Sequence, residues 1–137
     1  MPLNSEDVAL AYRDFLLGQS ARLIDLMADD FIDHVSGQTG TEIWQVVSRW
    51  LDDSFAERAV EVHGHATTAD GRTMVWITLH ATHIGSGFPW MRGRPASGRR
   101  VAWSQLHVFK EYNETIVEHW AVRDDLRVLE AIDEERP

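Results

Sequence analysis

The sequence contains no cysteine, which excludes a disulfide framework and any metal site built on thiolates. It also lacks a long apolar run, and no stretch approaches the roughly 18 apolar residues of a membrane span. The N-terminus shows no basic segment followed by an apolar one, which a secretory signal requires. These absences predict a cytoplasmic protein that does not associate with a membrane.

Positive charge is scarce as well. The chain has 13 Lys and Arg residues against 22 Asp and Glu residues, giving a formal net charge of -9. Such a surface repels phosphate backbones, so we expect no nucleic-acid partner. The local exception is an arginine cluster, which is either a solvated loop or a clamp for an anionic substrate group. Its members are Arg92, Arg94, Arg99 and Arg100.

What the chain does contain is a length and an aromatic content suited to one globular domain. Its 137 residues fit a single domain, residues 1–137, that can bury a core and one internal cavity. The six tryptophans are many for this length. Indole rings supply large apolar walls with one hydrogen-bond donor each, which suits a core, an interface or a pocket.

The first part of the chain has apolar residues at helical spacing and predicts three helices. The first begins at Asn4 or Ser5, the second follows Ser20, and the third begins at a capping box formed by Thr39 and Glu42. The third is predicted to be the longest. Its inward face comprises Ile43, Val46, Val47, Trp50, Leu51 and Phe55.

After about residue 58 the apolar period changes to two and predicts an antiparallel meander of four strands. A Gly-, Pro- and Arg-rich loop, 85–100, separates the two hairpins, and Asp124 caps a short final helix. The predicted strands are 60–68, 73–84, 101–110 and 115–123. Helices followed by strands indicate an α+β fold, in which a curved antiparallel sheet packs against three N-terminal helices and leaves a cone-shaped cavity open at one end.

Two of the seven histidines stand out because they share one face of the last hairpin with Gln105. If residues 112–114 centre the turn, His107 lies directly opposite His119, about 5 Å away. The pair is either a satisfied polar group on a wet face or an acid–base group lining the cavity. Imidazole suits the second role because it titrates near neutral pH.

Other candidate groups lie outside this hairpin. Asp33 and His34 follow a short extended segment at the expected cavity mouth, where one of them could act as a base; the alternative is an ordinary polar turn. Tyr12 lies on the buried face of the first helix, in the core or in a cavity wall. His63 and His65 share a strand face but lack a third ligand, so we predict no metal site.

Several segments together resemble the SnoaL-like polyketide cyclase (ester cyclase) family over nearly the whole chain. They are Phe-Ile-Asp-His at 31–34, Thr-His-Ile-Gly at 82–85, Gly-Arg-Pro-Ala-Ser-Gly-Arg-Arg at 93–100, His-Val-Phe at 107–109 and Ile-Val-Glu-His-Trp-Ala-Val-Arg-Asp-Asp-Leu at 116–126. The resemblance implies the nuclear-transport-factor-2-like fold. It also implies a cavity for a hydrophobic, carbonyl-bearing, polyketide-like ligand.

The family's cyclases close a ring by aldol condensation without metal or cofactor, so the resemblance implies no cofactor here. It also implies that His107 lines the pocket. In such members an acid–base Asp follows the Trp of the Glu-His-Trp strand, and this chain has Ala121 there. On this basis His107 and His119 would move protons, and Asp33 or His34 would replace the missing base. The expected ligand contacts are Tyr12, Trp103, Gln105, Phe88 and Arg123.

Three functions therefore stay open. The first is a cofactor-independent cyclase, isomerase or lyase, and the second is a non-catalytic binding protein for the same small molecule. The third is epoxide hydrolysis, which needs two carboxylates joined to an inward-pointing Arg123. An apolar stripe on the outer sheet face, formed by Ile116, Trp120 and Val122, also predicts a homodimer.

Overall fold

The computed structural model describes residues 3–134, which form an α+β fold with four α-helices and five strands in that range. The helices are α1 (Ser5–Leu16), α2 (Ala21–Asp25), α3 (Glu42–Ser54) and α4 (Asp125–Asp133). The strands are β1 (Met27–Asp33), β2 (Phe55–Thr67), β3 (Arg72–His83), β4 (Arg100–Tyr112) and β5 (Thr115–Arg123). A single 3₁₀ turn, Pro89–Met91, interrupts the connection from β3 to β4.

The five strands form one sheet in the order β1-β5-β4-β3-β2. The pairs from β2 to β5 are antiparallel, as predicted, but β1 pairs with β5 in parallel. The predicted meander of four antiparallel strands is therefore confirmed, and β1 adds a fifth, parallel strand that the sequence analysis did not include. The segment read as a short extended piece is the end of β1, whose irregular pattern of buried residues hides its strand character.

Curvature of the sheet follows from breaks in strand register. The pairing of β2 with β3 shifts between Ala56 and Ala59 and again between Val62 and Gly64. Bulges of this kind bend a strand and increase its twist, so the sheet wraps around the helices. No helix within the described residues is long and apolar enough to span a membrane.

The core lies between the inner face of the sheet and the helices α1 and α3. Strand β4 shows why: Val101, Trp103 and Phe109 alternate with exposed or half-exposed neighbours, and each is buried. Helix α1 begins where the Asn4 side chain accepts a hydrogen bond from the Glu6 N–H group. The core therefore follows the alternation of the strands and the helical period of α1.

Helix α3 departs from the predicted capping box. Its N-cap is Thr41, and no side chain caps the first turn. The prediction that this helix is the longest is confirmed by its 13 residues. One inward residue, Trp44, is absent from the predicted face but is fully packed in the core.

The last hairpin turns more tightly than predicted. Asn113 and Glu114 both have positive φ, at 50° and 66°, as the two-residue turns of tight hairpins require. The register then shifts between Lys110 and Glu111, which leaves one extra residue on β5. As a result His107 pairs with Ala121, and Phe109 pairs with His119. The predicted direct pairing of the two histidines is therefore wrong, and they are diagonal neighbours.

The same register shift corrects the predicted outer stripe. Ile116 precedes the bulge and its side chain is buried in the core. Trp120 and Val122 follow the bulge, and Val122 is 74% exposed. The outer apolar surface thus keeps these two residues and loses Ile116.

Candidate functional site

A cavity of about 670 Å³ opens between helix α3 and the inner face of the sheet. That volume lies in the range of pockets for small organic molecules. One wall is apolar and comes from α3 and the connection after β3: Ile43, Trp44, Val46, Val47, Trp50, Phe88 and Trp90. The opposite side carries Tyr12, His107, His119, Ala121 and Arg123. The cavity therefore has an apolar wall on one side and a polar floor on the other.

Four buried side chains on this floor form one hydrogen-bonded chain. His119 Nδ1 lies 2.8 Å from Asp33 Oδ1, and His119 Nε2 lies 2.8 Å from His107 Nδ1. His107 Nε2 is then 2.7 Å from Gln105 Oε1. The strands β1, β5 and β4 each contribute, and Asp33 is brought to His119 because β1 pairs beside β5. We call this group the Asp33–Gln105 chain.

Asp33 is held as an anion. Its Oδ2 accepts hydrogen bonds from the hydroxyl and the backbone N–H of Ser36, at 2.7 and 3.2 Å. Burial opposes ionisation of this carboxyl, but the hydrogen bonds from His119 and Ser36 outweigh it and lower its pKa. The carboxylate is therefore a fixed negative charge behind His119 rather than a strong base.

Both histidines of the Asp33–Gln105 chain favour the neutral form. Burial, with the neighbouring charges of His119 and Arg123, lowers the pKa of His107 well below its usual value. Burial also lowers the pKa of His119, although the carboxylate of Asp33 opposes that effect. An imidazolium formed here gives up its proton readily at neutral pH.

The donors and acceptors of the chain can be counted. When the side-chain oxygen of Gln105 faces His107, His107 Nε2 must carry a proton and donate it. All three hydrogen bonds then form only if Asp33, His119 and His107 together hold one proton more than two neutral imidazoles and an ionised carboxylate do. When both imidazoles are neutral and Asp33 is ionised, Gln105 must turn its NH₂ group to His107 instead. The chain can therefore accept and release one proton by rotation of a single amide.

Tyr12 of α1 packs against His107, and the two rings are tilted by 40°. Its ring centroid lies 3.9 Å from that of His107. Burial raises the pKa of the Tyr12 hydroxyl, so the group stays protonated. Among residues 3–134 it has no hydrogen-bond partner, which leaves an oriented donor on the cavity floor.

Arg123 is the cation of the floor. Its guanidinium lies over the Trp103 ring, 5.4 Å from the centroid, and 3.6 Å from Asp125 Oδ2. The other oxygen of Asp125 accepts the indole N–H of Trp103 at 2.9 Å. One carboxylate thus stands beside Arg123, and the described ion pairs do not supply the second one that the epoxide hydrolysis hypothesis requires.

The structure places several predicted site residues together. Tyr12, Asp33, Phe88, His107, His119 and Arg123 line the cavity. Gln105 lies behind His107 and contacts it directly, in the orienting position that the sequence suggested. Trp103 is fully buried beneath the floor, where it supports Arg123, so the expectation that it forms part of the wall is corrected.

His34 does not reach the cavity. Its ring stacks on Trp120 at 4.7 Å, and its Nε2 lies 2.9 Å from Glu118 Oε1. His34 is the first residue of the turn after β1, and its contacts with Trp120 and Glu118 hold it on the side of the sheet away from the cavity. The expectation of His34 at the cavity mouth is therefore corrected.

The cavity residues that sequence reasoning missed include Trp44, Trp90 and Ser36. The high tryptophan count was the one signal available for the two indoles. Nothing in the local pattern marks Ser36, because its role depends on a tertiary contact with Asp33. Within the described part of the chain, no group of three or more His, Asp or Glu side chains could hold a metal ion.

Comparison with known proteins identifies the family. The sequence model of the SnoaL-like polyketide cyclases matches residues 6–132. The chain belongs to this family. The match extends from α1 through most of α4 and so includes every residue that lines the cavity. No curated relative matches the chain in sequence.

Solved structures share the fold of this SnoaL-like protein. A candidate SnoaL-like polyketide cyclase from Jannaschia superposes with a TM-score of 0.76 at 22% identity, covering 96% of this chain and 93% of the other. IdmH, a candidate polyketide cyclase from Streptomyces antibioticus, gives 0.73 at 22% identity, covering 96% and 100%. AclR from Streptomyces galilaeus, a candidate hydroxylase, gives 0.73 at 20% identity, covering 96% and 93%. The nuclear-transport-factor-2-like fold expected from the sequence is thereby confirmed.

Proposed function

We propose that this SnoaL-like protein is a cofactor-independent enzyme of the cyclase, isomerase or lyase type. It moves a proton beside the carbonyl group of a hydrophobic, polyketide-like molecule. The observation that carries the proposal is the Asp33–Gln105 chain on the floor of a largely apolar cavity. Membership of the SnoaL-like polyketide cyclase family supports a cyclase-type role.

In the proposed reaction His107 is the group that exchanges a proton with the substrate. A proton leaves the carbon next to the carbonyl for the imidazole, and the C–H electron pair forms the enolate double bond. Asp33 stabilises the positive charge that spreads over the two histidines. The Tyr12 hydroxyl donates to the enolate oxygen, and the proton returns to carbon or to the oxygen of a second carbonyl.

Ala121 fits this assignment. It lines the cavity opposite His107 on the neighbouring strand, where a methyl group can neither accept a proton nor repel an enolate. Asp33 is the one carboxylate in the Asp33–Gln105 chain, and its oxygens already accept hydrogen bonds from His119 and Ser36. We therefore assign the base to the histidine pair, since Glu42, the other lining carboxylate, is exposed at the start of α3 on the opposite wall.

The test uses an enolisable ketone, because the natural substrate is not needed to detect proton abstraction. In deuterated buffer, NMR follows loss of the C1 protons of 2-tetralone with wild-type protein and with His107→Ala. We expect the variant to lose about 10²- to 10⁴-fold of the exchange rate, the contribution of a general base. His65→Ala removes an exposed histidine on β2 and should not change the rate. Equal exchange by the wild type and His107→Ala contradicts the proposal.

One observation favours the alternative of a ligand-binding protein without catalysis. Each ring nitrogen of His107 and His119 already has a protein partner. A base must release one of these contacts before it accepts a proton from carbon. Tight binding of 2-tetralone with no exchange above the buffer rate would select this second function.

We also propose that the outer sheet face pairs with a second copy of the chain. Trp76 on β3 is 54% exposed and Val122 on β5 is 74% exposed, and Trp120 lies on the same face. Exposed apolar residues on one face are typical of contact surfaces. Analytical ultracentrifugation should detect a dimer that Val122→Lys dissociates and Leu17→Lys, an exposed residue after α1, leaves intact. A monomeric wild type contradicts this proposal.

A further inference from the structure

The cavity floor holds one cation whose hydrogen-bonding capacity is unused. Of the described residues that line the cavity, one carries a permanent positive charge, and this residue is Arg123. Its side chain is 22% exposed, and none of its N–H groups lies within hydrogen-bond distance of an acceptor in residues 3–134. Asp125, at 3.6 Å, is a neighbour in an ion pair but not a hydrogen-bond partner. A half-buried guanidinium with free donors is an unfilled site for an anion.

Within residues 3–134, the carboxylates nearest Arg123 already accept other hydrogen bonds. The carboxylate oxygens of Asp33 are taken by His119 and Ser36, and one oxygen of Asp125 is taken by Trp103. The guanidinium carbon lies 5.4 Å from the centroid of the Trp103 ring, a cation–π contact that helps to hold the group in place. A fixed planar fork selects a partner with two coplanar oxygens, as in a carboxylate.

Further donors in the cavity lining also lack acceptors. The indole N–H groups of Trp44 and Trp90 are buried and have no hydrogen-bond partner in the described structure. Both nitrogen atoms are closed to solvent, so each would donate to a ligand only if its indole ring turned toward the cavity. The Tyr12 hydroxyl, in a residue that lines the same cavity, is a further hydrogen-bond donor for an oxygen-bearing ligand.

We propose that the ligand of this cavity is an anion, and that Arg123 binds its two-oxygen acidic group: a carboxylate or an ionised 1,3-dicarbonyl. The inference rests on the proposed function and names the substrate class for it. Arg123 pairs with Gln105, whereas Ala121 pairs with His107, so the two lie two residues apart on β5. That spacing is about 7 Å along a strand, which makes the acidic group an anchor beside the reacting carbon.

The experiment compares ligands that differ in charge and share a ring system. Dissociation constants of 2-naphthoate, of its neutral amide 2-naphthamide and of ionised 2-acetylindane-1,3-dione are measured by tryptophan fluorescence and calorimetry. For wild-type protein we expect the anions to bind about 10- to 100-fold more tightly than the amide, as a charged hydrogen-bonded pair implies. Added salt should weaken binding of the anions and leave the amide unchanged.

Arg123→Gln should remove this preference by weakening the anions and sparing the amide. Arg127→Gln makes the same change in charge on the exposed surface of α4 and should have no effect. The anion with the larger loss in Arg123→Gln identifies the natural acidic group. Equal binding of naphthoate and naphthamide by the wild type overturns the inference, and so does an unchanged preference in Arg123→Gln or no binding of either anion.

A second variant keeps the test decisive if Arg123→Gln does not fold. Asp125→Asn retains the oxygen that accepts from Trp103 but removes the competing negative charge, so naphthoate should bind more tightly than to the wild type. Weaker or equal binding overturns the inference. These binding results do not depend on proton exchange: an anion preference without exchange defeats the catalytic proposal alone, and exchange without an anion preference defeats this one alone.

Discussion

Asp33 illustrates how one side chain gains a function from its neighbours. It is 4% exposed, yet its pKa is lowered because His119 and Ser36 both donate hydrogen bonds to it. A buried anion of this kind orients the imidazole that donates to it and stabilises the imidazolium that forms when that ring is protonated. The role of Asp33 in the proposed chemistry is therefore to position His119.

Removal of this charge gives the first prediction at the residue scale. Asp33→Asn should lower the rate of 2-tetralone exchange by about 10²-fold or more, because the imidazolium loses its counter-ion. It should also shift the rate–pH profile to lower pH, since less stabilisation of the imidazolium lowers its pKa further. The measurement is the NMR exchange rate as a function of pH.

Ser36→Ala provides the matched control. It removes one of several donors to Asp33 but leaves the carboxylate beside His119. We expect a change of a few-fold in rate and a small rise in the pKa of Asp33. An Asp33→Asn protein as active as Ser36→Ala would show that the charge of Asp33 has no part in the reaction.

At the scale of elements, the connection after β3 is fixed to α3 by close backbone contact. The Gly87 N–H donates to Ser54 Oγ at 2.8 Å. A Cβ at this position would lie 2.5 Å from the Trp50 carbonyl oxygen and 2.7 Å from Ser54 Oγ. Gly87 is therefore required for close approach, and that approach carries Phe88 and Trp90 into the cavity wall.

Gly87→Ala should accordingly push the connection away from α3. We expect a loss of about 1–3 kcal/mol in the free energy of unfolding, the usual cost of overpacking, together with weaker binding of cavity ligands. Urea denaturation and ligand titration provide the measurements. Gly64→Ala, on β2, has no atom within 4 Å of its Cβ position and serves as the control. Equal stability of the two variants contradicts the predicted contact.

The last hairpin is the element in which sequence reasoning came closest without being right. Alternation along β4 and β5 placed His107, His119, Gln105 and Arg123 on one face, and the structure confirms it. The register was wrong because the tighter turn and one bulge residue each move the pairing by one position, and the apolar period reveals neither. The hydrogen bond between the histidines survives the error, since diagonal neighbours on one face also lie within reach of long side chains.

At the scale of the whole molecule, three buried histidines make stability depend on pH. The pKa values of His83, His107 and His119 are all lowered in the folded protein, chiefly by burial. An unfolded histidine titrates near pH 6.5. Below about that pH the unfolded chain binds more protons than the folded one, so the stabilisation present above it is lost as the pH falls toward the folded pKa values.

We therefore expect the free energy of unfolding to decrease between about pH 7 and about pH 5.5, by up to roughly 1.4 kcal/mol per pH unit for each histidine. Urea denaturation across this range provides the measurement. His83→Asn keeps an acceptor for the Ser97 backbone N–H and removes one titrating group, so its stability should fall less steeply. A stability that is constant or increases on acidification contradicts the prediction.

The sequence by itself determined the order of the helices and of the four antiparallel strands, the inward face of the last hairpin and the family, because strand alternation, helical period and local motifs are properties of neighbouring residues. Only the tertiary structure decided that β1 joins the sheet beside β5, that Asp33 thereby contacts His119, and that Arg123 lies over Trp103 with no hydrogen-bond partner among residues 3–134. Each of these contacts joins residues far apart in the chain. Which distant side chains meet depends on strand order, on a single bulge and on the packing of helices, and no local pattern encodes those.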